Sequence, residues 1–298
     1  MATYSFSTLI DHTSDAGFRA WVGEFSGALI SIGLTQTSDT GQITTSTATR
    51  PGTATSGGYQ IYRFNDAAQS SLPIFLKVEY GTGNLANAPA VWVTAATSST
   101  GAGSLTGTTL LSRVATGVSN AVVISTTTAY PSYFSYNTST GFVGWGFKSG
   151  SVSGSNGSHS CLALGRSCDS TGAVTTTGVT TMYGHTSSSA ANFQTAVNSA
   201  GTTLISGVAG KYALSPGSRT TSASGSDIQA FLNWTAYPLV EPINWRCTVV
   251  IAEIPAGTAF TTTLVGSVPH TYISLGGAFT YGDDSTANTA FCGAIIWE

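Results

Sequence analysis

The stretch that decides the fold runs from Gly58 to Gly83 and reads GYQIYRFNDAAQSSLPIFLKVEYGTG. In its second half, PIFLKVEY, Leu76, Val78 and Tyr80 share one side of an extended chain, and Lys77 and Glu79 share the other. Alternation with a period of two is the mark of a strand with one buried face. YQIYRF is a second such strand, and the Asn, Asp and Ser residues between the two supply a loop. The hairpin gathers Arg63, Asp66, Lys77 and Glu79 in a chain of which only 8% is charged. Lys77 and Glu79 fall on the outward face. Arg63 and Asp66 flank the turn, and their spacing predicts a salt bridge or backbone hydrogen bond from one of them within the hairpin. No nucleophile, metal ligand or second acid joins the four charges, so they read as register and interface markers rather than as an active site.

Ahead of the hairpin lies SDAGFRAWVGEFSGALISIGL, residues 14–34. Phe18, Trp21, Val22, Phe25, Leu29 and Ile32 recur at steps of three and four, which makes one apolar stripe along an α-helix. Ser14 or Asp15 is placed to cap its start, and Gly33 followed by Leu34 suits a left-handed cap at its end. Gly17, Gly23 and Gly27 each weaken the helix by about 1 kcal/mol relative to Ala. It is expected to hold only where its aromatic stripe packs against a sheet.

Downstream, short apolar or alternating runs are punctuated by Gly, Ser, Thr and Asn. They are AVWVTAAT (90–97), AVVISTTT (121–128), SYFSYN (132–137), GFVGWGF (141–147), CLALGRS (161–167), GVTTMYG (178–184), FLNWTAY (231–237), WRCTVVIAEI (245–254) and AFCGAIIWE (290–298). The pattern predicts a mainly β chain: an antiparallel β-sandwich with one N-terminal amphipathic helix packed on a sheet. A composition change across residues 98–120 marks an expected boundary. It divides a helix-plus-hairpin module at 1–115 from a β-sandwich module at 116–298.

Within GFVGWGF, Val143, Trp145 and Phe147 point one way, and Gly144 and Gly146 the other. A glycine-lined strand face admits a second backbone or a ligand. Two readings stay open: a tight corner between packed sheets, or a ring platform for a sugar. Trp145, Phe147, Tyr133 and Trp234 are the candidates for an interface or glycan contact. Trp297 in the last strand is expected to be stitched into the core.

Aromatic residues make up 10% of the chain and hydrophobic residues 41%, so the scarcity of charge does not come from disorder. The surface must instead be covered by hydroxyls, amides and glycine. Net charge is −3 with no basic cluster, which leaves no electrostatic footprint for nucleic acid or an anionic membrane. Near-neutral surfaces of this kind promote association. The opening MATYSFSTLIDHTSDAG lacks the basic start and apolar core of a signal peptide, and no apolar run approaches membrane-spanning length, so no membrane insertion is expected. Cys161, Cys168, Cys247 and Cys292 read as free buried thiols, with a Cys161–Cys168 bridge open in an oxidising medium. The Asn-X-Ser/Thr sequences at Asn137, Asn156 and Asn233 carry little weight in so hydroxyl-rich a chain.

Motifs that carry chemistry are scarce in the chain. There is no Gly-X-Ser-X-Gly elbow, and TGAGSLTG lacks the spacing of a phosphate loop. His159, Cys161 and Cys168 match no common zinc spacing. A glycosidase would need two facing carboxylates, and the acids at Asp39, Asp169, Glu241, Glu253, Asp283 and Asp284 sit in turns or at strand ends. In DHTSDAG, the cluster of Asp11, His12, Ser14 and Asp15 is explained by helix capping. No catalytic residue, metal ligand or cofactor is expected.

The runs FRAWVGEFSGALISIGLTQTSDTGQI, TRP, GYQIYRFND and PIFLKVEYGTG, together with VVIAEIPAGTAFTTTLVGSVPHTYISLGG and AFCGAIIWE, resemble a family of virion structural proteins of tailed bacteriophages. These are tail, tail-fibre or baseplate proteins. The likeness covers about half the chain and lies in fold motifs, and the family offers no catalytic residue to carry over. It implies a non-enzymatic structural component of the virion, assembled in the host cytoplasm and carried on the extracellular particle. Its partners would be copies of itself and other tail or head proteins. The alternative is a receptor-binding module that grips host-surface polysaccharide through exposed aromatics.

Overall fold

The computed structural model describes residues 1–9, 12–83, 89–116, 129–151, 157–168, 174–185, 195–198, 203–206, 229–231, 247–251, 257–262, 270–276 and 292–297. In chain order its elements are β1 (Ala2–Leu9), α1 (Asp15–Ser31), β2 (Thr35–Gln36), β3 (Thr55–Arg63), β4 (Phe75–Thr82), β5 (Pro89–Ser99), β6 (Leu105–Thr116), β7 (Ala129–Asn137), β8 (Phe142–Ser151) and β9 (Gly157–Cys168). They continue with β10 (Val174–His185), β11 (Thr195–Asn198), β12 (Thr203–Ser206), β13 (Gln229–Phe231), β14 (Cys247–Ile251), β15 (Ala259–Thr262), β16 (His270–Gly276) and β17 (Cys292–Ile296). The strands form three sheets, ordered β2-β3-β4-β5-β6, β1-β7-β8-β9-β10-β11-β12 and β13-β14-β17-β16-β15. Pairing is antiparallel throughout, as in the hairpin β3–β4, where Tyr62 opposes Leu76 and Gln60 opposes Val78.

The helix forms where the 3.6-residue stripe places it. Ser14 Oγ accepts from Gly17 N at 3.0 Å and caps the start. At the other end Gly33 adopts φ +109, Gly33 N donates to Ile30 O and Leu34 N donates to Leu29 O, which is a complete Schellman motif. Phe18, Trp21, Val22, Phe25 and Leu29 are fully buried. At roughly 1.5–3 kcal/mol for each large apolar side chain, this burial outweighs the three helix glycines at about 1 kcal/mol apiece.

The helix lies between the first two sheets. The ring of Phe25 meets Tyr80 of β4 edge-on at 5.7 Å, and on its other side meets Phe134 of β7 at 4.8 Å and Trp145 and Phe147 of β8 at 5.5 Å each. One buried cluster thus joins α1, the inner face of β3–β6 and the inner face of β7–β10. The boundary expected after residue 115 falls inside β6, and the core draws on residues from both sides of it. The run that looked like a linker is a paired strand: Val114 opposes Val93, and Thr116 opposes Val91. Its Gly and Thr content serves β-bulges, with register shifts near Ala95 and Ala96.

The third sheet packs on the outer side of β7 and β8. Trp297 N donates to Thr271 O at 2.8 Å, and its ring meets Tyr133 edge-on at 6.1 Å. Tyr133 stands opposite Gly146 in register, so the glycine side of β8 is where this sheet comes close. The packed-corner reading of GFVGWGF is the one that holds.

Candidate functional site

The RFND corner carries the densest set of polar contacts. After β3 the chain leaves the sheet at Phe64 and returns at Ile74, and Phe64 N donates to Ile74 O at 3.1 Å. The Gln69 side chain clamps the return, accepting from Ile74 N at 2.9 Å and donating to Ile74 O at 3.3 Å. Asn65 reaches outward in three directions. Its N–H donates to the Tyr136 hydroxyl at 2.7 Å, and its Nδ2 donates to Gly33 O at 2.7 Å and to Thr35 Oγ1. One side chain therefore ties the loop to the helix end and to the strand beside it.

Asp66 goes the other way, into the protein. Its two carboxylate oxygens accept from Nε and one terminal nitrogen of Arg166 on β9, the latter at 2.7 Å, and Arg166 also donates to Leu72 O. Both residues are buried, at 7% and 2% exposure. A buried carboxylate and guanidinium are tolerable only when paired and hydrogen-bonded, and this two-pronged pair satisfies that demand. The β7–β8 turn completes the corner. Asn137 Oδ1 accepts from Ser139 N and Thr140 N, and Gly141 turns the chain at φ +59 so that its carbonyl accepts from Arg166 N at 3.0 Å. A Cβ on Gly141 would lie 2.3 Å from Asp66 Oδ2 and 2.7 Å from Arg166 Nε.

Within the hairpin Asp66 O accepts from Gln69 N at 3.1 Å, the backbone hydrogen bond expected there, but the salt bridge lies elsewhere. The ion-pair partner of Asp66 lies a hundred residues away, while Arg63 is exposed and forms no ion pair with Asp66. Arg63, Asn65, Asp66, Gln69, Ser70 and Phe75 border a shallow depression of about 450 Å³. With both Asp66 oxygens engaged by Arg166, this corner positions sheets and offers no free base.

Lys77 and Glu79 lie on the outer face of β4, as their alternation predicts, and each is occupied. Lys77 Nζ donates to Gly103 O at 3.0 Å and sits 3.9 Å from the centre of the Tyr59 ring. Glu79 pairs with Arg113 of β6 at 2.8 Å, and that guanidinium covers Trp92 at 4.7 Å. Asp39 organises the neighbouring β5–β6 turn, accepting from Ser99 Oγ, Gly103 N and Thr37 Oγ1. Burial pushes its pKa up, but these hydrogen bonds, with Gly101, outweigh that and hold the carboxyl below its ordinary value. TGAGSLTG is this turn, not a phosphate loop.

Two further polar groups are buried near the helix. Gln60 Oε1 accepts from the Tyr62 and Tyr80 hydroxyls at 2.7 and 3.0 Å, and burial pushes both phenols well above the tyrosine range. His12 Nε2 meets Thr82 Oγ1 at 3.0 Å, and that hydroxyl already donates to Pro51 O. Nε2 therefore carries the proton and donates. His12 packs edge-on against Phe18 and Trp21 and locks the approach to the helix, while Ser14 supplies the cap that DHTSDAG promised.

The aromatic contact candidates are placed inside. Trp145 and Phe147 are 0% and 1% exposed and face α1, and Tyr133 is covered from the third sheet. None offers a free ring face to a sugar, because β8 is buried on both sides. Trp145 Nε1 has no acceptor among the described residues, so the ring serves for its apolar volume. Trp234, Asp169, Glu241, Glu253, Asp283, Asp284, Asn156, Asn233 and the expected strand at 121–128 lie outside the described residues. Cys161 and Cys168 lie on the single strand β9, roughly 23 Å apart at about 3.3 Å per residue. A bridge between them, or a metal held by both, is thereby excluded. Among the described residues no three His, Cys, Asp or Glu groups come together as metal ligands.

Arg166 and Gly141 are the site residues that sequence reasoning missed. The available signal was a lone Arg within the apolar run CLALGRS, since a charge inside a buried strand needs a buried counter-charge. Comparison with protein-family models, curated proteins and solved structures found no match.

Proposed function

We propose that the chain is a non-enzymatic structural component of a tailed-phage virion, associated with tail, baseplate or fibre, which works by self-association and by docking to neighbouring virion proteins. The observation that carries this reading is the use made of its scarce charges. Asp66–Arg166 joins two sheets, Glu79–Arg113 joins β4 to β6, and Lys77 closes onto the β5–β6 turn. These five charges are held by partners within the chain, which supports a scaffold that associates through hydroxyls, amides and backbone edges. The resemblance of its sequence runs to tail and baseplate proteins supports the same reading. Host polysaccharide as a partner loses Trp145, Phe147 and Tyr133 as contacts, so docking between proteins is preferred.

The test is localisation on particles. Antibody raised against the purified chain should decorate purified virions at one fixed position along the tail in negative-stain images. Confinement of the chain to the soluble fraction of infected cells, with none on particles, would overturn the proposal.

A further inference from the structure

We infer that β1 is a self-association edge: two copies of the chain pair their β1 strands antiparallel about a two-fold axis through Ser5, making one sheet continuous across a dimer. This rests on the self-association in the function proposed above and names its surface.

β1 ends the seven-stranded sheet, and among the described residues its only strand partner is β7. The pairing runs without a register shift from Ala2–Tyr136 to Leu9–Ala129, so among the described residues the far side of β1 presents an unbroken row of backbone donors and acceptors. Natural edge strands are blunted by charge, proline, a bulge or shortness. ATYSFSTL has no charge and no proline, shows no bulge, and is eight residues long. Among the described strands the other edges differ. β6 is bulged, carries Arg113 and packs beside β10, while β2, β12, β13 and β15 have only two to four residues each.

A second copy is the occupant that fits. Residues meeting at a two-fold axis face their own kind, so a charged edge would repel itself and an uncharged one does not. Faces must also match: Tyr4 and Phe6 are half-buried on the core side, while Thr3 and Ser5 are exposed on the other. A slip of one residue would turn the second copy inside out. Pairing Ser5 with Ser5 of the second copy keeps the faces aligned over residues 2–8. It also sets Tyr4 opposite Phe6 twice. The Tyr4 and Phe6 rings already lie 6.3 Å apart, and Phe6 stacks on Phe134 at 5.7 Å, so the junction would extend an existing row of rings.

The test uses the full chain. Opposed Cα atoms in an antiparallel pair lie about 4.5–5.5 Å apart, within disulfide reach. Under mild oxidation Ser5→Cys should give a cross-linked dimer on a non-reducing gel, and wild type and the exposed control Thr53→Cys should not. Ser5→Lys places like charges at the axis and should weaken the dimer by about tenfold or more while circular dichroism stays native. An oligomer that survives Ser5→Lys, with no Ser5→Cys cross-link, overturns the edge and leaves self-association standing. A wild-type chain that remains monomeric at every concentration overturns both.

Discussion

The guanidinium of Arg166 grips both carboxylate oxygens of Asp66, and with this buried pair the loop after β3 is fastened to β9 of the facing sheet. Removing one partner strands the other as an unpaired buried charge. Asp66→Ala or Arg166→Leu is expected to cost about 3–5 kcal/mol. The double substitution Asp66→Leu with Arg166→Met should cost clearly less than the sum of the single ones. Urea unfolding of the four proteins provides the cycle, and strict additivity would mean that the pair is not coupled.

Gly141 and the helix glycines should respond with opposite sign. Gly141→Ala forces a left-handed backbone on a side chain and drives a methyl into the Asp66–Arg166 pair, for a loss of about 2 kcal/mol or more. Gly23 and Gly27 have open space at the Cβ position, so Gly23→Ala and Gly27→Ala should each stabilise by up to about 1 kcal/mol. Thermal melts of the three variants read both signs at once.

Trp145→Ala should behave as a core deletion. The ring is fully buried against Phe25, and its loss is expected to cost about 3–5 kcal/mol. Near-UV circular dichroism and the denaturation midpoint should change together. A native-like midpoint would contradict the burial described for β8.

Asp39 gives the protein a specific acid sensitivity. Its folded-state pKa lies below the ordinary value of 3.8, so its stabilising contribution is complete above that value and is lost as pH falls through it toward the folded-state value. Unfolding free energy should decline from about pH 5 to about pH 3, and Asp39→Asn should flatten that slope. Urea titrations at several pH values in this range test it, and an unchanged slope would remove Asp39 from the account.

The parts of this fold written in local spacing could be read directly. The stripe Phe18–Trp21–Val22–Phe25–Leu29 gave α1, Ser14 and Gly33 gave its ends, and the alternation in PIFLKVEY gave β4 with its outward Lys77 and Glu79. What depended on distant partners could not be read. Nothing near Asp66 in sequence points to Arg166; local spacing reached only the hydrogen bond within the hairpin, from Gln69 N to Asp66 O. Trp145 and its flanking glycines show that β8 has two dissimilar faces, but not that α1 covers one and the third sheet approaches the other. β6 was concealed by the Gly and Thr that form its bulges, and its pairing with β5 erased the boundary expected at residue 115. ATYSFSTL alternates with a period of two but is missing from the strands expected above, though it is β1, the edge on which the proposed assembly turns.

The central claim is that this is a building block that associates with itself, and its mass in solution tests that most directly. Light scattering on the full-length chain across the micromolar range should show an even-numbered oligomer that dissociates on dilution, with Ser5→Lys moving the dissociation to higher concentration. A single monomeric mass at every concentration, the same in wild type and Ser5→Lys, would contradict the account.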